Sequence, residues 1–340
     1  MFTMGLQNFA KSFNKPMEVM AMLMSPLRKH ITSVALEIDS DSKFRRVSFQ
    51  RAIDGLVQVP NLKHLILRFQ CNELCSCLSL NQLVHMQALT SLELYLFRGR
   101  FARPHFQAYC ADVIRQMPQL CSFSFCYVGD FVNKLLVQPH RLQLTKLHGP
   151  GIKIADCIAL AGLPSLRTLR FDSLRLDHAD FIENLPLLTD LHLQWNMDFC
   201  LDVNVNTERV VRSLQTCTKL QKLYLKTLNI SAAQLCQMIP YTPQLASLSI
   251  HNCMSSIDSL EFLATGTLAS TLTRLELGNL GRHVPIDELP KLRVLGALKA
   301  LVLDVNFTFS SRLSDDAIKQ FTPPSNYFPK LEEFLCGFKF

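Results

Sequence analysis

Between Leu62 and Phe69 the chain reads LKHLILRF, with apolar residues at the first, fourth and sixth places. The same comb returns at 188–196 as LTDLHLQWN. Sliding the pattern along the chain finds twelve copies, starting at Ile31, Leu62, Leu89, Leu120, Leu144, Leu166, Leu188, Leu220, Leu245, Leu272, Leu298 and Leu331. The intervals are uneven: shortest from Leu144 to Leu166 and from Leu166 to Leu188, longest from Leu298 to Leu331. In each copy the fourth and sixth places alternate with polar ones at period two, which predicts a strand with one buried face. A second amphipathic piece follows, as in TERVVRSLQTCTKL (207–220), SAAQLCQMIPYTPQL (231–245) and SDDAIKQF (314–321). Its apolar residues recur at helical spacing, often behind a Ser, Thr or Asp suited to cap a helix. A proline then precedes several strands: Pro118, Pro164, Pro186, Pro243 and Pro329. A unit of strand, turn, helix and return cannot bury its own apolar face, so neighbouring units must stack into a solenoid.

This sustained LxxLxL register closely resembles the leucine-rich-repeat family over about residues 31–340. The repeat lengths, and Asn196, Cys253 and Asn306 just past their strands, resemble the ribonuclease-inhibitor-like and cysteine-containing repeats of F-box/LRR proteins. The resemblance implies an α/β horseshoe with a concave parallel sheet and convex helices, and protein binding as the default role. Three departures stand out. The Leu144 copy runs into HGPG where its strand should end. Residues 1–30 are too short for an F-box and lack its Leu-Pro start, so either they form an N-terminal helical cap ahead of a repeat domain at 31–340 or the chain is a fragment. The C-terminal LEEFLCGFKF has no polar capping unit, which points to a truncated or an unusual end.

Composition narrows the class. Apolar residues make up 48% of the chain, enough for a large core and too many for a disordered one. The formal charge of +7 is dispersed, which suits solubility and a mild bias toward acidic partners and not a nucleic-acid footprint. No apolar run reaches the roughly 18 residues of a membrane-spanning helix. The best candidate, MEVMAMLM (17–24), is too short and lacks the flanks of a signal peptide. The twelve cysteines are scattered from Cys71 to Cys336, the distribution expected of reduced core thiols in a cytoplasmic or nuclear protein. Without a secretion signal, the sequons at Asn229 and Asn306 carry little weight.

The residues between the leucines should point away from the core. The middle one of each copy gives a row: Ala35, Ile66, Glu93, Ser124, His148, Arg170, His192, Tyr224, Ser249, Glu276, Val302 and Leu335. His148, Arg170, His192 and Tyr224 come from consecutive copies. Lys146, Asp190, Lys222 and Arg274 should flank them on one side, and Asp172, Gln194, Lys226 and His251 on the other, with Trp195 beside them. Tyr95 and Tyr127 lie toward the N-terminus. Arginine, tyrosine and tryptophan dominate the energetics of many interfaces, and cations suit carboxylate partners. The candidate partner-binding set is therefore His148, Arg170, Asp172, His192, Gln194, Trp195, Lys222, Tyr224, Lys226, His251, Tyr95 and Tyr127. The bland alternative is a solvated sheet face with local ion pairs, for instance Asp172 with Arg170.

Motifs for chemistry are thin. CNELCSC (71–77) offers three cysteines where a zinc site needs four ligands, so core or turn cysteines are the better reading and no metal or other cofactor is expected. No GxSxG, P-loop or HExxH occurs. A catalytic His pair would need a nucleophile and an orienting acid in reach, and Cys126 is offset from the His148–His192 pair. RGRFAR (98–103) reads as a solvated basic loop. The leading expectation is a non-enzymatic scaffold that binds a protein on its concave face, with no membrane and no specific nucleic acid. Alternatives are the substrate-recognition subunit of an F-box-type ubiquitin ligase, an inhibitor or activator of another enzyme, and a small-anion or nucleic-acid binder.

Overall fold

Every one of the twelve copies becomes a short strand. In the computed structural model the strands are β1 (Ser33–Ile38), β2 (His64–Phe69), β3 (Ser91–Leu96), β4 (Ser122–Cys126) and β5 (Lys146–Gly149), then β6 (Thr168–Leu174), β7 (Asp190–Trp195), β8 (Lys222–Lys226), β9 (Ser247–His251), β10 (Arg274–Gly278), β11 (Ala300–Asp304) and β12 (Glu333–Cys336). The structure describes residues 25–38, 43–69, 79–96, 104–126, 134–137, 142–149, 160–174, 176–195, 207–228, 230–252, 259–264, 267–278, 291–304 and 328–336. It divides into two units, Met1–Leu166 and Arg167–Phe340. Within each, consecutive strands pair in parallel, so each unit is an α/β leucine-rich-repeat stack. The first holds β1–β5. The second holds β6–β12. Of the expected cap over 1–30, residues 1–24 lie outside the described residues, and Pro26–His30 forms one 3-10 turn.

The pairing register sets leucine against leucine. Leu191 faces Leu169 and Leu223, and Leu193 faces Phe171 and Leu225. All of these side chains are essentially inaccessible. Because strand side chains alternate, a one-residue slip would turn every leucine to the other face, so burial fixes the register. β4 and β5 depart from leucine together. Phe123 and Phe125 stack at 5.6 Å, and a methyl group on Gly149 would run into the Phe125 ring. The phenylalanine fills the room that the HGPG copy leaves when it puts glycine at its sixth place.

The turns explain the prolines. In Met117–Leu120, Leu163–Leu166, Leu185–Leu188, Thr242–Leu245 and Phe328–Leu331, the amide of the last residue donates to the carbonyl of the first. Proline occupies the second position, where its fixed φ suits a turn. Pro60 sits the same way between Val59 and Leu62. One residue on, a second device repeats: the carbonyl that opens a strand accepts two amides from the next. Arg167 O takes Thr189 N and Asp190 N; Thr189 O takes Gln221 N and Lys222 N. Where that position is threonine, its hydroxyl donates to the same carbonyl. Thr90, Thr145, Thr189 and Thr273 do so at 3.0–3.3 Å.

The return segments differ from the expectation of one helix per unit, and at the longest and shortest described intervals the helix content follows the spacing. Three of the long intervals, Ile31 to Leu62, Leu89 to Leu120 and Leu188 to Leu220, carry α1 (Lys43–Leu56), α2 (Pro104–Arg115) and α3 (Thr207–Leu214). The shorter interval from Leu220 to Leu245 holds the two turns of α4 (Ala232–Met238) and the 3-10 turn Ile239–Tyr241. Between Leu166 and Leu188, one of the two shortest intervals, there is room only for the 3-10 stretch Leu176–Asn184. Between Leu245 and Leu272 a single turn, α5 (Leu268–Thr271), follows the 3-10 turn Glu261–Ala264. The cap expected before α4 is present: Ser231 Oγ accepts from Gln234 N at 3.2 Å, and Gln234 Oε1 accepts from Ser231 N at 2.9 Å. SDDAIKQF lies outside the described residues.

Removing one leucine from the ladder should weigh more than removing one hydroxyl. Leu223→Ala is expected to cost about 2–5 kcal/mol in urea unfolding, the range for a large-to-small change in a packed core. Thr189→Val leaves its carbonyl two amide donors and should cost under about 1.5 kcal/mol. Equal losses would contradict this division of labour.

Candidate functional site

In the second unit the middle row lines up as the sequence pattern requires. Arg170 faces His192, His192 faces Tyr224, Tyr224 faces Ser249 and Ser249 faces Glu276, followed by Val302 and Leu335. The leucines on either side point into the core, so these residues occupy the open face. Adjacent strands are about 4.8 Å apart, close enough for planar side chains to stack across them.

They do stack, as a ladder of rings. The His192 and Tyr224 rings lie 3.8 Å apart at 20°. Tyr224 and His251 follow at 5.3 Å and 29°. Charged groups flank the ladder at both ends. On β6, Arg170 Nε reaches Asp172 at 3.4 Å, and Asp172 lies 4.0 Å from His192 Nε2. The strand pairing shifts between Phe171 and Leu174, beside Asp172. On the far side, His251 Nε2 is 2.8 Å from Ser249 Oγ, and that hydroxyl donates to Glu276 Oε2 at 2.8 Å. Arg274 holds Glu276 at 2.5 Å and Glu333 at 3.0 Å. Gly278 completes the arrangement: a methyl group there would strike the His251 imidazole.

Charge and burial set the protonation of this network. Burial alone would raise the Glu276 carboxyl. Hydrogen bonds from Arg274 and Ser249, the Arg274 charge and a hydrogen bond from His251 outweigh it and hold Glu276 below its ordinary 4.5. Burial, reinforced by the nearby Glu276 carboxylate, raises the Tyr224 phenol. Tyr224 therefore presents a neutral hydroxyl.

Among the described residues two constellations bring a serine, a histidine and a glutamate together, and only the one around His64 sets serine and glutamate on different ring nitrogens. Ser249 and Glu276 both approach the same nitrogen of His251, and the serine, 5% exposed, donates to the glutamate directly. A relay needs the base to hold nucleophile and acid on different nitrogens. In the first unit, His64 does bridge Ser91 (2.7 Å, Nδ1) and Glu93 (3.4 Å, Nε2). The Ser91 amide is committed to Lys63 O, so it offers no donor for a developing oxyanion.

Arg170, Asp172, His192, Tyr224 and His251 of the candidate set are brought together, with Gln194, Lys222 and Lys226 on the neighbouring register positions. His148 belongs to the first unit, where its Nδ1 is 3.0 Å from Ser124 Oγ. Tyr95 lies there too, under the Arg68 guanidinium at 5.6 Å. β7 includes Trp195, whose backbone faces Leu174. Tyr127 and CNELCSC lie outside the described residues. Among the described residues no cluster could hold a metal ion, and no helix is long and apolar enough to cross a membrane. Ser249, Glu276, Arg274 and Gly278 are what the candidate set lacks. The legible signal was RLELG at 274–278, which puts Arg274 and Glu276 on one face of one strand.

Neither a protein-family model nor a curated protein sequence matches the chain. Solved structures do resemble it. TLR13 in complex with ssRNA13 aligns at TM-score 0.51 and 16% identity, over 84% of this chain and 37% of that one. An internalin from Listeria monocytogenes aligns at TM-score 0.49 and 16% identity, over 95% and 89%. The LRR ectodomain of the Arabidopsis receptor kinase HAESA, in complex with an IDA peptide hormone ligand, aligns at 0.42 and 13%, over 84% and 40%. At these identities the likeness is one of fold: the chain has the leucine-rich-repeat fold.

A carboxyl held below its ordinary value stabilises the fold above that value and loses this contribution as pH falls through the folded one. Glu276 is such a group, so its contribution should be intact at pH 7 and fade below about pH 4.5. Unfolding titrations between pH 7 and 3 should show a shallower loss for Glu276→Gln than for the wild type. Identical slopes would mean that the Arg274–Glu276 contact is not formed.

Proposed function

We propose that this chain is a non-enzymatic scaffold that binds a protein partner on the open face of β6–β10. The observation that carries the reading is the ring ladder His192–Tyr224–His251. Rings already stacked on one another, and tied on the far side through Ser249 to the Arg274–Glu276 pair, lose little side-chain entropy when a partner settles on them. Preorganisation of this kind is how a polar surface gains affinity. Tyrosine and arginine are also the side chains that most often dominate interfaces. An ordinary solvated face would spend its charges on isolated pairs and would not order three rings across three strands.

Finer roles are part of the same proposal. The repeat spacing and the Asn or Cys positions favour ribonuclease-inhibitor-like repeats of a cytoplasmic or nuclear protein. Such a chain would serve as the substrate-recognition subunit of a ubiquitin ligase or as a regulator of another enzyme. Affinity purification from its own cells distinguishes these by what accompanies it: ligase subunits, or one enzyme.

The double variant Arg170→Glu/Tyr224→Ala should fold, since both side chains are on the open face, and should lose the captured partner by about tenfold or more. Unchanged capture by the folded variant would move the binding surface elsewhere.

A further inference from the structure

The open face of the second unit treats its cations unequally. Arg170 is paired with Asp172, and Arg274 with Glu276 and Glu333. Lys222 and Lys226, the two ends of β8, have no ion pair among the described residues. Lys222 is exposed, with Asp190 and Ser247 at the neighbouring register positions. Lys226 is half-buried between Gln194 and His251 in register. Tyr224 stands between them on the same strand face, its hydroxyl neutral and its ring held by two histidines. Alternate residues of a strand are about 6.6 Å apart, so the two ammonium groups root about 13 Å apart with the phenol midway.

We infer that β8 is the seat of an acidic protein segment that lies extended along Lys222, Tyr224 and Lys226. This rests on the reading of the open face as a binding surface and names the partner's chemistry. An extended chain repeats its side chains at the same period as β8. Carboxylates four residues apart meet the two lysines, and the residue between them meets the tyrosine edge. Each lysine offers three donors that nothing in the described structure uses in an ion pair. The arginines are held by acids of their own, so a partner carboxylate there would have to displace one. The same distribution disfavours a nucleic acid. Asp172, Asp190, Glu276 and Glu333 share this face, and a continuous phosphate backbone could not avoid them, whereas a peptide can place neutral residues over them.

Fluorescence anisotropy with labelled octaglutamate, octaglutamine and octauridylate tests this. The proteins are the full chain, Lys222→Glu/Lys226→Glu, and Lys219→Glu/Lys330→Glu, which changes the same charge at exposed turn positions. Thermal melts confirm that each is folded. The expected result is that octaglutamate binds, octaglutamine does not, the β8 variant binds at least about tenfold more weakly, and the turn variant changes less than about twofold. Equal octaglutamate binding by all three proteins, or none by the wild type, would overturn the inference. So would octauridylate binding more tightly than octaglutamate and falling with the same variant. A captured partner lost by Arg170→Glu/Tyr224→Ala but retained by the β8 variant would leave the binding surface standing and remove the acidic segment. If octaglutamate needs the lysines while the captured partner ignores Tyr224, the acidic site stands and the broader reading fails.

Discussion

The register of the leucines is the constraint on which the rest depends. A single repeat has one strand and one short return and cannot enclose its own apolar residues. Stacking solves this only if the fourth and sixth places of each copy meet their counterparts next door, as Leu191 meets Leu169 and Leu223. Period-two alternation then leaves no freedom: once the leucines are inside, the residues between them must be outside. The turn prolines and the doubly accepting strand-entry carbonyls support that register from the backbone side. At Gly149 the requirement is for filled volume and not for leucine itself, since a phenylalanine from the preceding strand occupies the place.

The same constraint produces the open face. A row of residues brought side by side at strand spacing can be chosen without regard to the core. In β6–β10 that freedom is used for stacked rings closed by ion pairs. Rings that are planar and close to parallel, as His192 and Tyr224 are, suit the spacing between parallel strands better than branched side chains do. Gly278 shows that backbone is shaped to match: a side chain there would compete with His251 for the same space. Fold and site are therefore not separable designs. The leucines decide where the row lies, and the row decides what the surface can hold.

This accounts for what the amino-acid pattern revealed and what it concealed. The strands were legible because LxxLxL encodes a period and a burial together, and the middle-row residues followed by counting. Lengths of the return segments were legible in hindsight. A long interval such as Leu188 to Leu220 admits an α-helix of two or more turns, while the short one from Leu166 to Leu188 admits only 3-10 structure. The clamp around Glu276 was harder to read. Ser249, Arg274 and Glu276 look like ordinary surface residues until neighbouring strands set them within hydrogen-bond distance. Gly278 carries no chemistry of its own, and its role is visible only in the space that it leaves. His251 stands at a flank position in the pattern, but its partners Ser249 and Glu276 come from the row next to it.

The central claim is that the ring ladder, and not the helical side of the repeats, meets the partner. Hydroxyl-radical footprinting of the chain alone and bound to its captured partner tests it directly. Tyr241, 49% exposed in the 3-10 turn after α4, serves as the internal reference on the helical side. The account predicts protection of His192, Tyr224 and His251 on binding, with Tyr241 unchanged. Protection of Tyr241 with the three rings unchanged would contradict it.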